Sequence, residues 1–202
     1  MKYILIDTAG DSASVLARNE EIFEATVLPN ERRHSDVLLV KVDEILKKLN
    51  LKVTDLEYMG VVTGPGSFTG IRIGIATIKG FEAVNPCKLV GLTVFDVLKG
   101  MIVDGVALLK CTKTSCYYAK YRNSNILEKG VINNDELDKI INNERLFIIK
   151  GDGLDIEKAE VISEYIDLLQ KAMELAINNE YFIENNKLEA FYMQKPQAER
   201  GN

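Results

Sequence analysis

This sequence is poor in the residue types on which most catalytic and metal sites depend. It has one histidine, His34, and three cysteines in 202 residues. A single imidazole supplies neither the ligand set of a metal site nor the partners of a Ser/His/Asp or Cys/His arrangement. The cysteines (Cys87, Cys111 and Cys116) are odd in number and form no CxxC pair, so the sequence indicates no zinc site. We expect reduced thiols and no bound metal.

The sequence also lacks an excess of basic residues and a long apolar run. It has 25 Lys and Arg against 30 Asp and Glu, a net charge of −5, and neither half is basic. A protein that binds nucleic-acid phosphates by itself is usually basic, so any RNA should be held mainly by another protein. The N-terminal apolar run is cut short by Asp7, and no stretch approaches the roughly 18 apolar residues of a membrane span. We expect a cytoplasmic protein with no membrane partner.

The most informative segment is Gly64–Gly74, which reads GPGSFTGIRIG. A buried-type strand, residues 59–63, leads into this turn, and a helix opens directly out of it. Glycines allow the backbone to approach a neighbour closely, and Ser67 or Thr69 can cap the start of the helix. Free N–H groups at such a helix start favour an anion or a partner's carboxylate, whereas a tight turn without a ligand is the simpler interpretation.

The order of predicted elements occurs twice along the chain, as three strands, a helix, a strand and a helix. The first set is predicted at residues 3–6, 12–16, 22–28, 35–49, 59–63 and 68–84. The second set is predicted at residues 106–110, 115–121, 126–132, 136–141, 146–149 and 160–177. Three opening strands argue against a nucleotide fold that begins β-α-β. A change near residues 99–104 predicts two lobes, residues 1–100 and 101–202.

Three segments resemble the TsaB family, also called YeaZ. They are GPGSFTGIRIG, DTAGDSASV near the start and, more weakly, FYMQKPQAE near the end. The resemblance implies an α/β fold of two actin-like lobes, each a mixed sheet with helices, as in the ribonuclease H-like acetate and sugar kinase/heat-shock protein/actin superfamily. TsaB proteins are non-catalytic partners of TsaD, the synthase that threonylcarbamoylates the tRNA adenosine next to the anticodon. The ATPase TsaE is a further partner, and tRNA is contacted only through the complex.

The resemblance also implies docking on TsaD, or on a second copy of this chain, through the first two helices. The residues agree, because the second helix is apolar on two sides and such helices are either buried or shared with another chain. The predicted docking surface consists of Val37, Val40, Phe68, Arg72, Ile73, Ala76, Lys79 and Gly80. Glycine inside a helix costs about 0.5–1 kcal/mol relative to alanine, so we expect close backbone packing at Gly74 and Gly80.

Kinases of this superfamily hold nucleotide phosphates on the first hairpin, where this chain has Asp7, Thr8, Gly10 and Ser12. A vestigial nucleotide loop and a plain hairpin with a hydrogen-bonded Asp7 both fit these residues. The matching second-lobe segment, residues 110–115, has neither glycine nor acid and lacks the Asp-Ala-Arg run common in TsaB relatives. We therefore expect no cofactor and no catalysis by this chain.

Two other functions stay open at this point. One is a small phosphotransferase or ATP-binding protein that uses the Asp7 loop, and the other is a vestigial metallohydrolase centred on His34. The C-terminal segment, residues 191–199, is either a partner-binding tail or the last strand and turn of the second lobe.

Overall fold

The computed structural model describes residues 1–28, 34–141 and 143–194, without the side chains of residues 34–36. Two five-stranded sheets organise these residues. The strands of the first sheet are β1 (Lys2–Asp7), β2 (Ala13–Asn19), β3 (Ile22–Leu28), β4 (Tyr58–Gly64) and β5 (Lys88–Thr93). Their order is β3-β2-β1-β4-β5, with β1, β2 and β3 antiparallel and β4 and β5 parallel to β1.

The strands of the second sheet are β6 (Gly105–Lys110), β7 (Ser115–Arg122), β8 (Asn125–Asn133), β9 (Leu146–Ile149) and β10 (Glu160–Ile162). Their order is β8-β7-β6-β9-β10, with the same pattern of parallel and antiparallel pairs as in the first sheet. The repeat seen in the sequence is therefore a repeat of sheet topology, and the predicted α/β class with two lobes is confirmed.

The helices are α1 (His34–Lys48), α2 (Phe68–Val84), α3 (Val94–Leu98), α4 (Asp138–Ile141) and α5 (Tyr165–Asn178). Both faces of β1 are apolar, since residues 3–6 are fully buried, so both faces of the first sheet need a cover. α2 covers one face, where Gly74 lies against Ile6 and Val61, and α1 packs beside it. α5 covers the opposite face, where Met173 lies against Gly60.

Two parts of the predicted element order are wrong. The helix predicted from residue 160 begins at Tyr165, because Val161 and Ile162 instead pair with β9 as a short strand. β-branched residues of this kind favour a half-buried strand over a helix start. In addition, the sequence predicted no element at residues 88–98, where the structure has β5 and α3. The Thr93–Asp96 capping box that begins α3 is a local signal that could have revealed it.

The second half of the chain returns to the first sheet. α5 contacts β2, β5 and α3, and beyond it Ile183 pairs with Leu89 in an antiparallel bridge. The Arg18 guanidinium and the Tyr3 hydroxyl both donate to the Glu174 carboxylate of α5, at 2.6 and 3.2 Å. Residues 165–191 are therefore bound to the first sheet, and a division at residues 100 and 101 stays a prediction.

Among the described residues, none of the helices combines the length and the apolar character needed to cross a bilayer.

Candidate docking helices and the cleft between the lobes

The glycine turn fixes the start of α2 against the first hairpin. Ser67 caps the helix by accepting a hydrogen bond from the Gly70 N–H at 3.2 Å, which confirms one of the two predicted caps. The Ser67 N–H donates to the Ala9 carbonyl at 2.7 Å. A Cβ atom on Gly70 would lie 2.0 Å from the Thr8 carbonyl oxygen, so only glycine fits there. The turn thus holds the end of β1 and the start of α2 in backbone contact.

The four residues of the predicted nucleotide loop do not all face the same way. Asp7, Gly10 and Ser12 line the cleft between the lobes. Thr8 is fully buried under α2, and its hydroxyl donates to the Gly70 carbonyl at 2.7 Å. The Thr8 hydroxyl therefore supports the docking helix from inside and offers nothing to a ligand in the cleft.

Asp7 is buried at the floor of the cleft. Its carboxylate accepts hydrogen bonds from the Ala9 N–H at 2.8 Å and from the Tyr165 hydroxyl at 3.0 Å. Burial raises the pKa of Asp7, although these two donors oppose the shift. Burial, together with the neighbouring Asp7 charge, also raises the pKa of Tyr165. Sequence reasoning missed Tyr165, because it lies 158 positions from Asp7 and leaves no local signal of their contact.

The second lobe contributes a different set of groups to the cleft. The Lys110 Nζ lies 3.7 Å from Asp11 across the gap, and both side chains are partly exposed. The Lys110 main-chain N–H donates to Asp152 at 2.7 Å. Burial raises the pKa of Asp152 to about 7, and the carboxylates of Asp11 and Asp7 add to the shift while Lys110 opposes it.

The cleft has a volume of about 660 Å³, which is enough for a small organic molecule. Some of the groups that could bind phosphate are already engaged. The Ala9 N–H is already used by Asp7, Lys110 faces Asp11, and three aspartates line the space. Among the described residues no group of three or more His, Cys, Asp or Glu side chains could hold a metal ion. The His34 side chain lies outside the described residues.

α1 and α2 lie side by side on the outer face of the first sheet and carry the predicted docking residues. Val40 is 55% exposed, and Arg72, Ala76 and Gly80 are exposed as well. The remaining predicted residues, Val37, Phe68, Ile73 and Lys79, are half-buried. Leu39, which is 56% exposed beside Val40, was not predicted, although its place next to Val40 on an amphipathic helix was a usable signal.

The two glycines inside α2 have opposite surroundings. A Cβ atom on Gly74 would lie 2.5 Å from the Thr8 Oγ1, so the expected close packing is found there. A Cβ atom on Gly80 would meet nothing within 4 Å. Within the described part of the chain, therefore, no packing accounts for glycine at position 80.

The described part of the C-terminal segment, residues 191–194, packs mainly on the first lobe. The Phe191 N–H donates to the Thr63 carbonyl at 2.8 Å, and Tyr192 stacks on Phe68 with ring centroids 4.7 Å apart. The Arg72 Nε donates to the Tyr192 hydroxyl at 2.9 Å. Residues 191–194 are thus not a strand of the second sheet, and residues 195–199 lie outside the described residues.

Comparisons with known proteins agree with this architecture. A family model described as TsaD, tRNA N6-adenosine threonylcarbamoyltransferase, matches residues 22–194. The tRNA threonylcarbamoyladenosine biosynthesis protein TsaB of Escherichia coli (strain K12) is 26% identical over 147 residues, which cover 70% of this chain and 62% of that protein. This chain thus matches less than two thirds of the length of that relative. TsaB of Buchnera aphidicola subsp. Acyrthosiphon pisum (strain APS) is 23% identical over 190 residues, covering 90% of this chain and 83% of that protein.

Solved structures show the same fold. YeaZ from Pseudomonas aeruginosa superposes with a TM-score of 0.73 at 14% identity, covering 95% of this chain and 99% of that one. A second solved structure, of a protein with similarity to peptidase YEAZ from Pseudomonas aeruginosa, has a TM-score of 0.77 at 14% identity and covers 96% of this chain and 99% of that one. The fold is therefore the actin-like one predicted from the sequence. The chain belongs to the family that the TsaD model describes and, within it, to the TsaB/YeaZ proteins.

Proposed function

We propose that this chain is a non-catalytic subunit in tRNA threonylcarbamoyladenosine synthesis, which docks on a TsaD-type synthase through α1 and α2 and activates it. The names of its TsaB relatives support a role in this pathway. The match of this chain to the TsaD family model supports a common fold for the chain and the proposed partner. The synthase would thus supply the chemistry, TsaE would be a further partner, and tRNA would be held by the complex. Such a role places the chain in the cytoplasm.

The observation that carries the proposal is the outer surface of α1 and α2. Leu39 and Val40 on α1 are each more than half exposed, and Val84 at the end of α2 is 69% exposed. On α2 itself, Ala76 and Gly80 are exposed and carry little or no side chain, so the backbone of a partner helix can approach closely. Exposed aliphatic residues beside a small-residue stretch are typical of helix packing between subunits.

The cleft supports a non-catalytic role. Asp7 is hydrogen-bonded on both carboxylate oxygens, and Thr8 is buried under α2. A phosphoryl-transfer site needs free donors and a metal-binding acid around the phosphates. Asp7, Thr8 and the Ala9 N–H would have to give up these hydrogen bonds to take part in such a site.

The same surface would serve a homodimer. Since two copies and the synthase would compete for α1 and α2, self-association should decrease as synthase is added. A charge placed on this surface should disrupt both assemblies, because an uncompensated charge in an apolar contact is costly.

The test is a reconstitution with the TsaD-type and TsaE-type proteins encoded in the same genome, threonylcarbamoyl-adenylate, ATP and tRNA. Modified adenosine should form only when this chain is present. Val40→Glu should weaken association with the synthase at least about 100-fold and reduce modification to background. Leu127→Glu is the matched control, since Leu127 is 64% exposed on the second lobe and should tolerate the same charge.

Ile73→Glu is a second variant, to be used after its thermal melting has been compared with the parent because Ile73 is half-buried. Full modification without this chain, or with the Val40→Glu chain, would contradict the proposal. ATP turnover by the chain alone that is lost in Asp7→Ala would support the phosphotransferase instead.

A further inference from the structure

Arg72 is held in place by two aromatic rings at the end of the docking surface. Its guanidinium carbon lies 3.9 Å from the centroid of the Phe68 ring and 5.9 Å from that of Tyr192. Its Nε donates to the Tyr192 hydroxyl at 2.9 Å. These contacts fix the long side chain in one position before any partner arrives.

The rest of the guanidinium is available. Arg72 is exposed, and it forms no ion pair with any carboxylate in the described ranges 1–28, 34–141 and 143–194. Its Nε donates to Tyr192, and neither Nη group has a hydrogen-bond partner within those same ranges. An arginine that is fixed in advance loses less rotamer freedom on binding, so each hydrogen bond that it forms gives more affinity.

The position of Tyr192 is itself secured by its neighbour. Phe191 is hydrogen-bonded through its N–H to the Thr63 carbonyl at the end of β4, and the Lys129 ammonium of β8 lies 4.5 Å from its ring centroid. Tyr192, 37% exposed, thus places its ring at the N-terminal end of α2, while the backbone of the preceding Phe191 is tied to the first sheet.

We propose that Tyr192 is a positioning residue of the docking surface, which with Phe68 holds the Arg72 guanidinium so that its free Nη groups bind a carboxylate of the partner synthase. This inference rests on the proposed function. It adds to the apolar contact of α1 and α2 a charged contact at one end, which sets the orientation of the partner.

A protein carboxylate suits this position better than an RNA phosphate. A planar guanidinium binds either group in a bidentate manner, but a chain with a net charge of −5 lacks the basic excess with which proteins usually hold RNA phosphates. Arg72 also lies one turn from Ala76 on the same face of α2, within the area that the partner protein would cover.

The experiment is a titration of the parent chain and its variants against the TsaD-type subunit, first without RNA and then with tRNA, at about 50 mM and about 300 mM NaCl. We expect Arg72→Ala and Tyr192→Ala each to weaken binding about tenfold and to lower its salt dependence. The double variant should be no weaker than either single one, because both remove the same contact. Tyr192→Phe, which keeps the stacking but loses the hydrogen bond, should fall between parent and Tyr192→Ala.

Tyr181→Ala is the matched control, since Tyr181 is 69% exposed away from Arg72. Normal binding by Tyr192→Ala would overturn the inference, as would additive losses in the double variant. An effect of Arg72→Ala that appears only when tRNA is added would assign the contact to phosphate and contradict the carboxylate. In either case, loss of binding in Val40→Glu would leave the proposed function standing, whereas normal binding by that variant would refute the proposed function itself.

Discussion

The two lobes have the same sheet and different helices. In both sheets the strand order is the same, and in both the first hairpin faces the cleft. In the first lobe a 15-residue helix precedes β4 and a 17-residue helix follows it. In the second lobe the corresponding helix is the four-residue α4, and residues 150–159 join β9 to β10 without a helix. The two lobes thus share the sheet. Long helices lie on its outer face only in the first lobe, where we propose docking.

The turns after β4 and β9 also differ between the lobes, in how tightly they are packed. The turn of the first lobe is packed tightly, with Gly70 in contact with the Thr8 backbone. The turn of the second lobe is open at its first glycine, since a Cβ atom on Gly151 would meet nothing within 4 Å, although Gly153 lies against the flexible end of the Lys110 side chain. A rigid turn supports a helix that has to keep its position, and the loop of the second lobe has no helix to support.

Replacing a glycine by alanine in each turn is the strongest test of this difference between the lobes. Gly70→Ala should lower the free energy of unfolding by about 3 kcal/mol or more, because its Cβ would meet a backbone oxygen at 2.0 Å. Gly151→Ala should cost only about 1–2 kcal/mol, the price of a left-handed residue at φ +84°. Urea unfolding followed by circular dichroism measures both, and equal losses would mean that the two turns are equally constrained.

The half-buried carboxyl of Asp152 in the second lobe predicts a dependence on pH. The folded chain holds the Asp152 proton up to about pH 7, whereas the unfolded chain releases it near its ordinary value of 3.8. The folded state binds more protons between these values, so the contribution of Asp152 to stability falls as pH rises through this range.

Asp152→Asn should therefore become more stable relative to the parent as pH rises from about 5 to about 8, by on the order of 1–2 kcal/mol. Urea unfolding at several pH values gives the difference. Asp155→Asn, an exposed aspartate of the same loop, controls for the lost negative charge. A constant difference between Asp152→Asn and parent across this range would contradict the prediction.

The smallest expected effect concerns the helix that only the first lobe has. Gly80→Ala should stabilise the isolated chain by about 0.5–1 kcal/mol, because nothing lies within 4 Å of the added methyl group. It should at the same time weaken association with the synthase. Gly74→Ala, on the buried face of the same helix, should destabilise the chain instead, because its Cβ would lie 2.5 Å from the Thr8 hydroxyl. Gain of stability without loss of binding at Gly80 would remove that residue from the docking surface.

The sequence predicted the features that depend on neighbouring residues. Alternating and apolar runs located eight of the ten strands, and the glycine turn located α2 with its Ser67 cap. The close packing at Gly74 followed from the cost of glycine in a helix, but the same argument does not explain Gly80 within the described chain. The sequence alone did not decide whether the surface of α2 around Gly80 is shared with another chain.

The features that the sequence did not predict depend on distant residues. The amphipathic pattern of α5 predicted a helix, but nothing in it indicated that Met173 would pack on the first sheet. For the same reason the Tyr165–Asp7 contact and the stacking of Tyr192 on Phe68 could not be foreseen. These contacts join residues more than 110 positions apart, and a single sequence carries no record of such pairs.

The return of α5 to the first sheet has a consequence for biosynthesis. When the first hundred residues leave the ribosome, one face of their sheet, with Leu5 and Gly60, is still without the helix that buries it. That apolar face stays open to water until residues 165–178 have been translated. Formation of the first lobe is therefore coupled to synthesis of nearly the whole chain. A nascent chain halted before α5 would expose this apolar sheet face to chaperones.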